Sequence, residues 1–538
     1  MRKKKIIIIL LIVFTLIMTA CGNDNENTSS AGKDVSKEDI LNESGFPIVK
    51  EPIDLTFFTG KSGTNGDKFE ETLVWSEYAE QSGINVNFEL VPFESLTEKR
   101  NLALAGGDYP DGFYSARVSS ADLAKYGKQG VFIPLDDLID QYAPNFKKIL
   151  EENPDVKKGL TMPDGHIYSF PSFYDPSFLP MLIGTPLWVK EEWIEKLDME
   201  EPTTPEEFYQ YLKAVKETDL NGNGEKDEIP FSATGTGALL DQLKGAWGLG
   251  NRGLGHKHID IDPETNELRF FRLDDKYKEL LEYVNMLYTE DLIDPEVFTQ
   301  DSTQLYAKGA DNRLGATIVP NPSTLMNDDN FIGLGALKGP HGDQLYTHLK
   351  VPMVHVGAFV ITDKNPYPEA TVRWIDHFFG EEGATFYFMG KEGETYEKLE
   401  DGTLEYTKDI TDNPDGLTHD QALAKNFTWL GGSYPGYVKA DWFNGSETLP
   451  NSLAAGEKAS PYVIEELWNS FNFTDEENRY LQSEGADLQT YMDEMEAKFI
   501  TGEESFDGWD KYVEQVKKMG LDNYMEVQNE AYKRYMAE

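Results

Sequence analysis

Residues 54–90, DLTFFTGKSGTNGDKFEETLVWSEYAEQSGINVNFEL, decide the fold. Asp54 to Thr59 reads as a short strand, and Asn65 to Ser82 carries helical spacing through Phe69, Leu73 and Tyr78. Ile84, Val86, Phe88 and Leu90 then alternate strictly, the pattern of a half-buried strand. Strand, helix and strand within about 40 residues form a βαβ unit, which demands parallel pairing and a right-handed crossover.

Outward from this unit the α/β pattern continues. A helix is expected to open at Ser95, with Glu98 completing a capping box, and to stop at Gly106-Gly107. Pro110 to Tyr114 leads into another short strand. A second α/β stretch begins near Thr185, where Leu187-Trp188-Val189 reads as a strand. Thr204-Pro205-Glu206-Glu207 opens a helix whose Phe208, Leu212 and Val215 share one face. Val356 to Ile361 predicts a strand and Pro368 to Phe379 a helix. The C-terminal stretch is helical, with stripes led by Leu488, Met492 and Phe499, by Trp509, Tyr512 and Val516, and by Tyr524, Ala531 and Tyr535. Trp193, Trp374 and Trp509 belong to cores. No repeat with a period of about 20–50 residues is present, which argues against a solenoid.

The amino terminus addresses the chain. Arg2-Lys3-Lys4-Lys5 is followed by an apolar run, Ile6 to Met18, too short to span a bilayer comfortably. Met18-Thr19-Ala20 then precedes Cys21, the one cysteine of the chain, and the whole resembles a bacterial lipoprotein signal. That resemblance implies a signal peptide over 1–20, cleavage before Cys21, and lipidation of its thiol on the extracytoplasmic face of the cell membrane. With no second cysteine, no intrachain disulfide can form. Residues 21–45 are polar with almost nothing to bury, and read as a disordered tether. The formal charge of −46 excludes phosphate-driven nucleic-acid binding and disfavours lying flat on anionic lipid.

Asp219-Leu220-Asn221-Gly222-Asn223-Gly224-Glu225-Lys226-Asp227-Glu228 matches the start of an EF-hand loop. Calcium takes about six to eight oxygens, and Asp219, Asn221, Asn223, Asp227, Glu228 and the carbonyl of Glu225 offer them. Pro230 stands where the bidentate glutamate of that motif belongs, a departure from the full motif. The alternative is a Gly/Asn turn edged with surface acids. A calcium ion here would staple the loop and would not touch a solute.

Read in order, the segments from Asp54 to Tyr535 resemble the family-1 extracellular solute-binding lipoproteins of ABC importers. Within them, the branch with the alginate-oligosaccharide binders is the most similar. The resemblance rests on Ala105 to Asp111, Phe132 to Ile139, Pro163 to Tyr168, Trp188 to Trp193 and Pro202 to Phe208. Pro368-Glu369-Ala370 with Arg373 to Asp376, Gly390 to Gly393, and Lys498 to Glu503 complete it. It implies a two-lobed α/β fold of the periplasmic-binding-protein kind, with discontinuous lobes, a hinge and a ligand in the interlobe cleft. The expected division is 46–170 and 351–410 for the N-terminal lobe, and 171–350 and 411–538 for the C-terminal one. The chain would cross at Tyr168 to Trp188, at Val351 to Gly357, and between Gly393 and Thr418. The same branch implies calcium at the 219–228 loop.

Sugar recognition calls for flat apolar faces with planar polar groups nearby. Aromatics in irregular segments are the candidates: Tyr114, Phe173, Tyr174, Trp188, Trp247, Trp429, Tyr434 and Trp442, with Tyr437 in the same Gly-rich region. Lys190, Arg252 and Arg313 are the cations that would suit a polyanionic glycan. His256-Lys257-His258 is read as surface loop. No nucleophile elbow, zinc-binding helix or phosphate-cradling loop occurs, and the acids are too numerous for a carboxylate pair to signify a glycosidase. The chain is therefore expected to be a monomeric, non-enzymatic receptor that hands an oligosaccharide to membrane permease subunits. A peptide or other non-sugar solute, or a surface carbohydrate-active enzyme, are the alternatives.

Overall fold

The computed structural model describes residues 40–417 and 419–537; the signal peptide, Cys21 and most of the tether lie outside them. Ten strands build two sheets: β1 Ile53–Lys61, β2 Ile84–Pro92, β3 Gly112–Val118, β4 Ser169–Tyr174, β5 Leu187–Lys190, β6 Ile229–Ser232, β7 Leu314–Ile318, β8 Phe331–Gly333, β9 Met353–Ile361 and β10 Gly436–Val438. The first sheet runs β10-β4-β9-β3-β1-β2 and the second β8-β5-β7-β6.

The opening βαβ unit forms as its periodicity predicts. β1 and β2 pair in parallel from Ile53↔Ile84 to Lys61↔Pro92, and the helix Leu73–Ser82 crosses between them. The first part of the expected helix is instead a short turn, Phe69–Glu71, followed by an extended Thr72. Gly83 ends the helix at φ 78°, a left-handed position that glycine occupies at no steric cost. The next helix differs from expectation. It starts at Phe93, directly off β2, so Ser95 lies inside its first turn and caps nothing. It does end at Gly107, as expected.

The core of the first lobe is aromatic. Trp75 stacks on Trp374 with centroids 5.4 Å apart, and Tyr78, Tyr114, Phe359 and Phe378 close around them. Polar tips are paired inside it: Trp75 Nε1 donates to Thr428 Oγ1 at 2.9 Å, and the Tyr78 hydroxyl to the Trp374 carbonyl at 2.7 Å. The second lobe is covered by helices. Thr204 caps Pro205–Glu217, its Oγ1 accepting from the Glu207 amide at 3.1 Å. Asp275–Thr289 packs on Glu484–Thr501, where Asn285 Nδ2 donates to the Phe499 carbonyl at 3.0 Å. Trp193 and Trp509 are buried in this core, as their spacing predicts.

Two expected boundaries shift. Residues 41–45 are not tether: Leu41 pairs with Val49, and Arg373 donates to the carbonyls of Asn42 and Gly45. The boundary at 410 also moves, because β10 is hydrogen-bonded in parallel to β4, so the chain stays with the first sheet through Val438. The third crossing follows that strand and does not fall between Gly393 and Thr418. A three-residue strand beside Gly436 carries too little alternation to announce itself.

Candidate functional site: the cleft between the sheets

Topology places the site. β1, β2, β3, β4 and β10 end at one edge of the first sheet, because β9 runs antiparallel to both β3 and β4 and begins where they finish. All three crossings leave or enter at that edge. Tyr174 N donates to the Pro352 carbonyl at 2.8 Å and Asp175 N to the Val438 carbonyl at 2.9 Å, so the three chains run side by side. In the second sheet β6, β7 and β8 also end at the edge where β5 begins. The carboxyl ends of both sheets therefore face one zone, and in open α/β sheets ligands bind outside those ends.

The crossing Tyr346 to Pro352 forms the floor. Lys350 N donates to the Leu182 carbonyl at 2.8 Å, and His348 Nε2 lies 2.9 Å from Thr185 Oγ1. The Tyr346 hydroxyl, Thr347 Oγ1 and His348 Nδ1 are buried without a hydrogen-bond partner, as is Ser172 Oγ on β4. Burial, with Asp241 opposing, pushes the His348 imidazole down to about 4. On the first-lobe side, Arg117 at the end of β3 donates from Nε to Ser433 Oγ at 2.8 Å, and His355 Nε2 lies 3.3 Å from the same hydroxyl. Asp175, at the hinge, accepts from Tyr437 and from the amide of Ser177. Burial works against its charge, but these donors and Lys439 hold the carboxyl below its usual range.

The aromatic candidates separate. Trp188 is a core residue: it is fully buried and its indole donates to the Val319 carbonyl at 2.8 Å. Tyr114 is likewise internal, its hydroxyl 2.7 Å from that of Tyr387. Trp247 is sealed in the second-lobe core against Tyr283, and Phe173 lies buried under Tyr437. Tyr174 and Tyr434 are nearly buried at the hinge; burial and the charge of Glu447 push the Tyr174 hydroxyl up to about 12. Trp429 and Trp442 stay half-exposed. Trp429 keeps its buried Nε1 unpaired, and Trp442 meets Tyr437 edge-on beneath the Lys439 ammonium.

The cations chosen from sequence are spent on acids. Lys190 is buried against Asp328 at 2.5 Å, Arg252 reaches Glu466 at 3.4 Å, and Arg313 reaches Asp227 at 3.1 Å. His256 is not surface loop. It is buried 4.0 Å from the Phe471 ring with Nε2 3.0 Å from the Asn469 carbonyl, because Gly255 lies tightly against the Trp468 carbonyl. Arg117, Lys350 and His355 escaped the sequence reading, because nothing local distinguishes them. A non-glycine residue at φ 52° on a strand end is invisible before the backbone is seen.

The 219–228 loop adopts a tight arrangement of Asx turns. Asp219 accepts from the amides of Gly222 at 2.8 Å and Gly224 at 2.9 Å, and Gly224 takes φ 90° to make that possible. Asn221 Oδ1 accepts from Asn223 N, and Asn223 Oδ1 from Glu225 N. Asp227 accepts from both asparagine side-chain amides, which with Arg313 hold its carboxyl below the usual range. Glu228 is buried, one oxygen accepting from the Leu220 and Asn221 amides and the other, Oε2, with no partner. The orphaned buried oxygen of Glu228 and the all-oxygen donor set of the loop are the chemistry a hard cation takes, although among the described residues no three acids are gathered as ligands. Among the described residues no helix is long and apolar enough to cross a membrane.

Residues 60–385 match the family of bacterial extracellular solute-binding proteins. The fructooligosaccharide ABC transporter substrate-binding protein FusA of Streptococcus pneumoniae is 28% identical over 533 residues, 97% of this chain and 96% of its own. Lipoprotein LipO of Bacillus subtilis is 24% identical, over 84% of this chain and 87% of its own. The structure of a FusA EF-hand mutant in complex with fructo-nystose superposes with a TM-score of 0.73 at 28% identity, over 90% of this chain and all of that one. The alginate-binding protein AlgQ2 without calcium ion has the same fold, at a TM-score of 0.72, 23% identity, and 90% and 99% coverage. Two sheets facing each other across three adjoining crossings, over a match to more than half the sequence, place this chain in the bacterial extracellular solute-binding protein family, with the two-lobed fold of an ABC importer's receptor.

Proposed function

We propose that the protein is a lipid-anchored extracytoplasmic receptor that captures an oligosaccharide in the interlobe cleft and delivers it to an ABC permease. The observation that carries this reading is the likeness to FusA along nearly the whole of both chains. The cleft supports it with a floor of unpaired polar groups, and half-exposed Trp429, two residues before the Gly431 that Arg117 bonds, adds an apolar face, the mixture a sugar's hydroxyls and C–H faces require. The receptor works as a monomer without catalysis: it binds, its lobes close about the hinge at Tyr174, Pro352 and Val438, and it docks. Cys21 carries the lipid. Asp219, Asn221, Asn223, Asp227, Glu228 and the Glu225 carbonyl would hold calcium, which supplies charge to draw those oxygens together and rigidifies the turn between Pro205–Glu217 and β6.

Calorimetric titration with kestose, with a uronate trisaccharide and with a tripeptide tests the reading. One-to-one binding of a saccharide, with a change in tryptophan fluorescence, is the expected outcome. Binding of the peptide alone would replace the sugar reading by that of a peptide receptor.

A further inference from the structure

The cleft holds two cations that no carboxylate neutralises, in a chain with 95 acidic and 49 basic residues. Arg117 is one. Its backbone is left-handed at φ 52°, Ser115 two residues earlier is at φ 50°, and Ser433, which accepts from its Nε, is at φ 68°. Non-glycine residues in that region are costly and cluster where function requires them. The guanidinium lies 3.9 Å above the Phe93 ring, so its plane is fixed. Nη2 donates to the Gly431 carbonyl at 3.3 Å, while Nη1 bonds nothing among the described residues.

Lys350 is the other. It sits on the second crossing, and its side chain runs over Gly184, where a Cβ would meet the ammonium. Gly184 also takes φ 69°, so the course of this lysine depends on a glycine at that position. The ammonium has no hydrogen bond or ion pair among the described residues. Burial lowers its pKa, opposed by Glu447 on the third crossing; Glu94 acts on Arg117 in the same distant way, and neither acid is within ion-pair reach. His355, 3.3 Å from the Ser433 hydroxyl that Arg117 also bonds, feels the charge of both cations. Burial, then Arg117, then Lys350 push its imidazole down to about 4, which keeps it neutral and adds no third charge.

We infer that Arg117 and Lys350 form the donor pair that reads the solute, taking two neighbouring acceptor oxygens of one sugar residue across the cleft. This rests on the oligosaccharide reading above. Both side chains are donors only, and a fixed guanidinium edge suits paired oxygens, whether vicinal hydroxyls or a uronate carboxylate. Every cation selected from sequence is occupied by an acid, which leaves this pair as the cleft's free donors among those weighed.

The test titrates wild-type protein, Arg117→Met and Lys350→Met with kestose and with trigalacturonate, and records circular dichroism and melting for each. Loss of a charge-assisted hydrogen bond weakens binding roughly 10- to 100-fold. A loss of that size for kestose, independent of salt, identifies the hydroxyl pair. A loss for trigalacturonate, with wild-type affinity that falls as salt rises, identifies the carboxylate. Arg117→Lys, which keeps the charge and removes the fork, is expected to recover only part of the affinity, and it serves also where the methionine variant folds poorly. Wild-type affinity in both methionine variants overturns the inference. Wild-type protein that binds neither saccharide overturns the oligosaccharide reading instead.

Discussion

The aromatic core of the first lobe and the floor of the cleft lie within the same fold, yet they treat polar atoms in opposite ways. In the core, the Trp75 indole, the Tyr78 hydroxyl and the Tyr114–Tyr387 hydroxyl pair are bonded to protein. On the floor, the Tyr346 hydroxyl, Thr347 Oγ1 and His348 Nδ1 are buried without partners within three consecutive residues. Buried polar groups in folded proteins are nearly always satisfied, so under the proposed reading this consecutive run is where a guest would supply the missing partners. The core secures stability by internal pairing; the floor leaves capacity for a guest or for the waters a guest displaces.

This contrast can be broken at its strongest point first. Trp374→Ala removes the ring on which Trp75 stacks and leaves a cavity in a closed aromatic cluster. A loss of about 3–5 kcal/mol in denaturant unfolding is expected. A loss below about 1 kcal/mol would mean that the first-lobe core is far looser than its geometry.

Calcium is expected to have the next largest effect, through the 219–228 loop. At a hundredfold excess over Kd a ligand of the native state adds about 2.7 kcal/mol. Calcium should raise the melting temperature of wild-type protein, and Asp219→Ala with Asn223→Ala should abolish the rise while leaving the fold intact. A rise that survives the double substitution would place the metal elsewhere.

Burial of histidine gives a pH dependence of defined sign. His256 is pushed from 6.5 down to about 4 by burial, with its bond to the Asn469 carbonyl opposing. The unfolded chain takes up that proton below about pH 6.5 while the folded chain refuses it. Stability is therefore full above that pH and is lost as pH falls towards 4. The loss attributable to His256 is roughly 2 kcal/mol by pH 5 and about 3 kcal/mol by pH 4. His256→Gln should flatten the melting profile between these pH values, and an unchanged slope would show that other groups dominate it.

The smallest effect sharpens the comparison most. Thr347→Val swaps an unpartnered buried hydroxyl for a methyl of similar shape, so stability should stay within about 1 kcal/mol or rise. Destabilisation beyond that would show that the hydroxyl is already bonded in solution.

What the sequence disclosed divides along the same line. Ile84 to Leu90, Thr204-Pro205 and the helical stripes of the C-terminus were legible because each is written in contiguous residues of one period. The 219–228 loop was legible for the same reason, down to Gly224 at its left-handed turn. The cleft was not. Arg117, His355, Lys350 and Ser433 come from four separated segments, and no spacing within any of them hints at the meeting. Aromatic residues beside glycine misled in part. Gly245 and Gly248 flank Trp247 because the backbone there packs against Leu345 and Asp343, not because the ring faces a solute. Trp188 failed for a related reason: on a strand at a crossing, one face looks to the cleft and the other to the core, and only the register of β5 with β7 decides which. The cations failed because pairing is a three-dimensional property. The acid that claims Lys190, Asp328, lies far along the chain.

The central claim is that the solute lies between the lobes, at the carboxyl ends of the two sheets. A crystal structure of the protein grown with kestose tests this most directly. The account predicts the saccharide against the Tyr346 to Lys350 crossing, with oxygens within hydrogen-bond distance of Arg117 and Lys350. The outer groove between Glu381, Tyr396 and Trp442 is the rival position. Saccharide bound there, with an empty cleft, would contradict it.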